Sequence, residues 1–249
     1  MVSARDLSAA LGPVEIAFVA VSDPAVHEVA GRLADLLPPA TAIVHVSGPL
    51  ALSALDGARA GGRAIGSFHP FQSFPVERPP RAFAGSLIGI DASDGELAER
   101  LAVLARDLGG VPRRVRDPER ALYHVAAVLS SNLVLGLIGS AVTVLESIGW
   151  SRGEAIAALL SLQTGVLSNI QSEGLEGALS GPIRRGDPAT VLGHLEALEG
   201  SGLEEIARIY RILALATLDL AIRTGLDPVK GDQIREALTG WPAATGGDQ

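Results

Sequence analysis

Residues 14–34 read VEIAFVAVSDPAVHEVAGRLA. Apart from Glu15, the first eight form an apolar run with β-branched residues, the pattern of a strand buried on both faces of a parallel sheet. Asp23-Pro24 then suits the opening of a helix, with Asp23 as N-cap and Pro24 in the first turn. That helix is predicted to run to about Leu37 and to stop at Pro38-Pro39. The strand-then-helix unit repeats downstream. Residues 41–47 (TAIVHVS) form the next strand, and 50–60 a helix ended by Gly61-Gly62. Residues 64–68 form a third strand, and a proline-rich loop (75–80) leads to a strand at 86–91. Residues 94–108 form an amphipathic helix, and 111–115 a last strand. Strands alternating with helices at this spacing imply β-α-β units and a mostly parallel sheet. Ligands bind such sheets beyond the carboxyl ends of the strands, which here carry Ser22-Asp23, Ser47-Gly48 and His69-Pro70.

The pattern changes near residue 118 and is almost wholly helical afterwards. Asp117-Pro118 starts a long helix to about Ile148, and Ser151 with Glu154 makes a capping box for a second, to about Ser172. Residues 174–186 read as a loop. Asp187-Pro188 opens a third helix, 203–225 is a fourth, and 232–238 a short last turn. The expected organisation is α/β followed by all-α. A Rossmann-like domain occupies 1–117, a helical domain 118–240, and a frayed tail 241–249.

The 249 residues carry 20 basic and 28 acidic side chains, a formal charge of −8, and are 47% hydrophobic. A core of useful size is therefore available. The acidic balance argues against nucleic acid as a partner, because phosphate neutralisation needs a basic face. The lack of cysteine excludes disulfides, thiolate catalysis and cysteine-ligated zinc. No acidic or histidine cluster has metal-ligand spacing, so no metal is expected. The N-terminus lacks a basic-then-apolar signal pattern, and a cytoplasmic location is expected.

Residues 121–145 contain no Asp, Glu, Lys or Arg, a length that could span a bilayer. His124, Ser130, Ser131 and Asn132 lie within it, and such groups are costly at membrane depth. The expectation is a buried central helix and no membrane partner.

A dinucleotide-binding sheet normally opens with strand, G-x-G-x-x-G turn and helix, so that backbone amides approach a pyrophosphate. That motif is absent. Gly200-Ser201-Gly202 follows a helix and has Glu205 where the third glycine belongs. The chain starts with a predicted helical stub at 3–11 and enters the sheet at Val14.

Four ordered blocks add a resemblance: HVSGPLALSAL (45–55), GSFHPFQSF (66–74), LYHVAAVLSSN (122–132) and ALSGPIRRGDPATVLGHLEAL (178–198). With residues 14–34, they resemble the bacterial Rossmann-like proteins whose helical C-terminal part is catalogued only as a domain of unknown function. These sit within the 6-phosphogluconate dehydrogenase-like superfamily of ketopantoate reductase, hydroxyisobutyrate dehydrogenase and deazaflavin-dependent NADP reductases. The resemblance implies a truncated Rossmann-like sheet followed by a helical 6-phosphogluconate dehydrogenase-like domain, with NADP or NAD as cofactor and dimerisation through the helical half. Relatives carry a first strand, glycine loop, helix and second strand before the point where this chain begins. In the order 3-2-1-4-5-6 the strand at Val14 would pair with that first strand. Left open, its apolar edge is an aggregation hazard. The expectation is a gene product that begins upstream, and weak cofactor binding by the chain as given.

Candidate site residues follow from position. Ser22, Asp23, Ser47, Gly48 and Pro70 lie at strand ends, where the cofactor is expected. His69 and Gln72 sit where a strand opens into a loop, beside nicotinamide or substrate. On an unbroken helix, His124 and Ser131 differ by about 20° and Asn132 by about 80°, one polar face on an apolar helix. Relatives place a catalytic lysine and, one turn later, an asparagine on this helix. Asn132 matches the asparagine, but Val128 stands where the lysine would be, and His124 one turn earlier can serve as acid or base. Ser131, Asn169 and Arg185 are substrate candidates, Arg185 through its planar fork.

Two functions from different classes fit. One is an NAD(P)-dependent oxidoreductase acting on a small carbonyl or imine, with an acidic group for Arg185 to anchor. The other is a non-catalytic dimer that binds a metabolite through a degenerate Rossmann domain, a reading favoured by the missing glycine turn.

Overall fold

The computed structural model describes residues 14–74 and 83–240. The helical stub at 3–11, the proline-rich loop at 75–80 and the tail at 241–249 lie outside the described residues. Strand β1 (Ile16–Val19) is followed by a 3-10 turn at Asp23–Ala25 and helix α1 (Val26–Leu36). Ser22, not Asp23, holds the cap position of that turn, and neither side chain caps it. The backbone closes it instead, Ala25 N–H donating to Ser22 O at 2.9 Å. Strand β2 (Ala42–His45) leads through a 3-10 turn at Leu52–Leu55 to the short helix α2 (Asp56–Arg59). Then come β3 (Ile65–Pro70), β4 (Leu87–Ala92), α3 (Gly95–Asp107) and β5 (Val111–Arg114). Asp94 starts α3 by accepting from Leu97 N–H at 2.9 Å.

The five strands lie in the order β1-β2-β3-β4-β5. The pairs β1/β2, β2/β3 and β4/β5 are parallel, and β3/β4 is antiparallel. Among the described residues β1 pairs on one side only, with β2, and Phe18 on it is 41% exposed.

Alternation along β2 sorts its side chains between two cores, as the period of a strand demands. Ile43 joins Val19 and Ile65 against Val26 and Ala30 of α1, whereas Ala42 and Val44 join Phe68, Ile88 and Ile90 against Leu97 and Leu101 of α3. Each fully buried aliphatic side chain contributes roughly 1.5–3 kcal/mol. Buried Arg63 caps the end of α1, donating to the carbonyls of Ala34, Leu37, Pro38 and Thr41 at 2.5–3.0 Å.

The expected single helix from 118 to 148 is two. After a 3-10 turn at Asp117–Glu119, α4 covers Arg120–Ser130 and α5 covers Asn132–Ser147, with Ser131 between them at φ −130°, ψ −80°. The hydroxyls of Ser130 and Ser131 donate back to the carbonyls of Ala126 (2.9 Å) and Ala127 (2.6 Å). Such back-bonding competes with the backbone ladder and bends helices. The chain does not bury this segment as expected. Residues 117–147 are apolar and long enough to cross a membrane, yet only 6% of the most apolar window is buried. Leu122 and Leu135 are 76% and 70% exposed.

Helix α6 (Arg152–Gly177) begins at the Ser151/Glu154 capping box and extends past its expected end, although Gly174 adopts φ 76°, ψ 175°. Only glycine takes that conformation without strain. The expected loop at 174–186 thus holds the end of α6 and a short helix α7 (Gly181–Arg185). Helices α8 (Pro188–Gly200) and α9 (Glu204–Arg223) follow as expected. The short last turn is a full helix, α10 (Pro228–Thr239), because Asp227 accepts from Lys230 N–H at 3.1 Å and starts it earlier. Val191, Leu195, Leu218, Ile234 and their neighbours form the helical core.

The chain divides into two compact units between Val134 and Leu135, beyond the compositional change near residue 118. Helix α4 stays with the sheet because Arg120, Tyr123 and His124 on it contact residues of β3 and the end of β2.

Candidate functional site

Parallel pairing brings the carboxyl ends of β1, β2 and β3 to one edge of the sheet. Strand β2 ends at His45 and continues through Val46 and Ser47 to Gly48, while β3 ends at His69-Pro70. Helix α4 supplies Arg120, Tyr123 and His124 to this edge.

Two glycines make the arrangement possible. A Cβ on Gly48 would lie 2.7 Å from His124 Nδ1 and 2.9 Å from His69 Nε2, and one on Gly89 of β4 would lie 2.8 Å from the Tyr123 hydroxyl. The rings therefore rest directly on backbone. Tyr123 Oη lies 2.9 Å from His69 Nδ1, and the two imidazoles of His69 and His124 meet edge to face with centroids 6.3 Å apart.

Arg120 is 2% exposed. Its guanidinium donates to Ser67 Oγ on β3, to Gly48 O at 3.4 Å and to Asp117 Oδ1 at 3.3 Å. Asp117, expected as a helix cap, thus balances a buried cation, and it also accepts from Leu52 N–H at 3.0 Å. Burial pushes the Arg120 pKa down, opposed by Asp117 and Asp91. Guanidinium nevertheless stays charged in proteins.

His45 is fully buried, and among the described residues neither ring nitrogen has a hydrogen-bond partner. Burial, then the nearby Arg120, lowers its pKa to about 4. Burial, then His124 and Arg120, lowers that of His69 to about 4 as well. Both are neutral at pH 7. In an unfolded chain they titrate near 6.5, so between those values the unfolded state binds more protons and stability rises with pH. This contribution is present above about pH 6.5 and is lost as pH falls toward 4, up to about 3 kcal/mol per histidine. Urea unfolding at pH 7 and pH 4.5 is expected to show that loss, and His45→Phe to reduce it. A wild-type free energy that does not change between these pH values would contradict the assignment, as would an undiminished fall in the variant.

The other candidates are placed as follows. Ser47 is buried, its Oγ accepting from Leu50 N–H at 3.4 Å, while Ser22 and Asp23 are exposed after β1. Pro70 closes β3. Gln72 is exposed, with its Nε2 3.4 Å from Ser86 Oγ. The face shared by His124, Ser131 and Asn132 assumed an unbroken helix, and the interruption at Ser131 removes that assumption. Ser131 Oγ bonds Ala127 O and Asn132 Oδ1 (3.0 Å), and Asn132 is exposed at the start of α5. In the second unit, Asn169 is exposed on α6 and Arg185 is exposed at the end of α7.

Sequence reasoning missed Arg120, His45 and the role of Tyr123. The Asp117–Arg120 spacing, three residues apart at the start of a charge-free helix, was the one local signal for Arg120. His45 fell inside the expected strand at 41–47 and drew no notice, since its burial depends on both neighbouring strands.

The fold has known counterparts. A Bacteroides fragilis protein described as a "putative NADP oxidoreductase" is 22% identical, with TM-score 0.67 over 84% of this chain and 78% of that one. The Thermotoga maritima protein TM1727 is 25% identical, with TM-score 0.63 over 85% of this chain and 86% of that one. The Plasmodium falciparum pyrroline carboxylate reductase, solved with NADP bound, is 14% identical, with TM-score 0.57 over 91% and 82%. These are likenesses of fold, and they support a Rossmann-like sheet followed by a helical part. No curated protein matches the chain. A family model described as a domain of unknown function, DUF2520, matches residues 86–217. That match covers more than half the chain and runs from β4 of the sheet into α9 of the helical unit. The chain belongs to the DUF2520 family.

Proposed function

We propose that the protein is an NAD(P)-dependent oxidoreductase acting on a small carbonyl or imine substrate with an acidic group. The observation that carries this reading is the convergence of His69 and His124 on Gly48 at the carboxyl end of β2. That is the edge at which open α/β sheets bind ligands. The strand ends fit the nicotinamide end of such a cofactor. Gly48 is buried and lets both imidazoles close on the backbone, Ser22 and Ser47 are small, and the His69 ring is neutral at pH 7. No G-x-G-x-x-G turn is present in the chain to cradle the pyrophosphate. When bound, the nicotinamide supplies or accepts hydride, and the protein supplies orientation and the proton. His69 or His124 handles that proton and Asn132 holds the reacting oxygen. The setting is cytoplasmic.

One alternative is a non-catalytic metabolite-binding protein on the same fold, in which the neutral histidines at the strand ends serve structure alone. Fluorescence titration with NADPH and NADH separates the two. It is run on the 249-residue chain and on a form extended to the next upstream in-frame start. Saturable binding in either form, weakened at least tenfold by Gly48→Val, is the expected result. No saturable binding in both overturns the enzyme reading and leaves the alternative.

The reading includes a second copy of the chain as partner. Helix α6 spans 26 residues with only Ala155 buried, and it carries no charge from 155 to 172. The same helical unit has an apolar groove of about 600 Å³, lined by Leu137, Val144, Leu145, Leu198, Ile206 and Leu213 among others. One symmetric pairing can cover both surfaces at once.

A further inference from the structure

We propose that Tyr123 is a positioning residue that fixes the tautomer of His69. It holds Nδ1 as acceptor of the phenol proton, so that Nε2 carries the imidazole proton and offers it as a hydrogen bond to the substrate's carbonyl oxygen or imine nitrogen. This rests on the reading of His69 as a substrate-facing group and assigns its chemistry. Of the two candidates for the proton this leaves His124, with His69 polarising the substrate.

The argument starts from the contacts of the phenol. Tyr123 Oη is 2.9 Å from His69 Nδ1 and 3.3 Å from the His69 carbonyl oxygen, so the nearer acceptor is the ring nitrogen. The oxygen cannot swing away easily. It lies over the α-carbon of Gly89, and its ring packs at 5.0 Å against Phe71 and at 5.5 Å against His69.

Protonation states agree. Burial raises the phenol pKa to about 12 and lowers that of His69 to about 4, so a protonated phenol meets a neutral imidazole. A neutral imidazole has one donor and one acceptor nitrogen, and the hydrogen bond at one fixes the other. The charged and titratable groups around His69 are Tyr123, His124, His45, Arg120 and Asp23, and Arg120 beside it disfavours a second positive charge. Nε2 then lies beside Gly48, 2.9 Å from the position a Cβ would take there, with His124 Nδ1 2.7 Å from the same position. A neutral histidine that polarises a carbonyl is an established way to stabilise developing negative charge on oxygen.

The test is long-range proton–nitrogen NMR on ¹⁵N-labelled protein at pH 7, with the His69 signals assigned by their loss in His69→Gln. The wild type is expected to show Nδ1 in the range of an unprotonated acceptor nitrogen and Nε2 in the range of a protonated one. In Tyr123→Phe, which keeps the ring and loses only the hydroxyl, both signals should shift toward each other as the tautomers mix. Gly89→Ala, whose methyl displaces the hydroxyl, should produce the same shift. Protonated Nδ1 in the wild type overturns the proposal, as does a Tyr123→Phe spectrum with both signals unmoved. The tautomer is read without nucleotide, so this outcome is independent of the cofactor titration, and the two readings can fail separately.

Discussion

Replacing Arg120 by alanine is expected to destabilise the sheet unit by about 3–5 kcal/mol, the cost of breaking a buried ionic network and leaving a cavity. The guanidinium joins three places distant in sequence: Ser67 on β3, the carbonyl of Gly48 beyond β2, and Asp117 before α4. Its removal leaves the Gly48 carbonyl without this donor, and a buried unsatisfied group adds about 1–3 kcal/mol to the native state, whereas Ser67 Oγ keeps the Asp91 N–H at 3.2 Å. Lysine should not rescue it, because a single ammonium cannot reproduce a planar fork that serves three acceptors. A second consequence separates this account from a simple cavity effect. Arg120 is among the causes that depress the His45 pKa. Arg120→Ala should therefore also flatten the fall in stability between pH 7 and pH 4.5. Urea unfolding at both pH values reads the two effects together. A loss under 1 kcal/mol at pH 7, or an unchanged pH slope, would sink the assignment of Arg120 as the tie between α4 and the strand ends.

The largest change in assembly is expected from Leu160→Glu combined with Leu167→Glu. Both lie on α6, 53% and 64% exposed, and with Ile156 they share one face within about 40°. The helix is about 39 Å long. Exchanged between two copies into the apolar groove of each, it can bury an area on the order of the 1,200–2,000 Å² of a stable interface. Two carboxylates placed in that contact should weaken association at least 100-fold, because desolvating an unpaired charge is costly. Analytical ultracentrifugation at micromolar concentration is expected to show a wild-type dimer and a monomeric double variant. A wild type that sediments as a monomer removes the second copy from the account. Flotation of the wild type with anionic lipid vesicles would assign the exposed apolar helices to a membrane instead.

The local signals in the chain were sound wherever one stretch suffices to define an element. Apolar runs of β-branched residues marked β1, β2 and β4. Asp94, Ser151 and Asp187, each followed three residues later by the N–H it accepts, marked the starts of α3, α6 and α8. Hydrophobic period and cap chemistry act over a few residues, so they survive without knowledge of the rest of the molecule. Local reading failed where two local rules compete. The helix from 118 to 148 had the right period, yet two serines bonding back to their own helix interrupt it at Ser131. The start of α10 was missed because Asp227 was not weighed as a cap.

The site divides along the same line. His69, Gly48 and His124 were legible because strand ends and a polar group on an apolar helix stand out in sequence. What joins them was not legible. Sequence contains no distance between Gly89 and Tyr123, or between Arg120 and Ser67. Those contacts arise only when α4 docks on the strand ends in one register. The burial of His45 likewise comes from the strands on either side of it, and the exposure of α6 from the lack of a covering neighbour among the described residues. Thus the residues themselves determined the order and kind of the elements through short-range propensity and capping. Tertiary packing alone decided which rings share a proton, which charge is buried and which apolar face is left uncovered, because each of these depends on groups tens of residues apart.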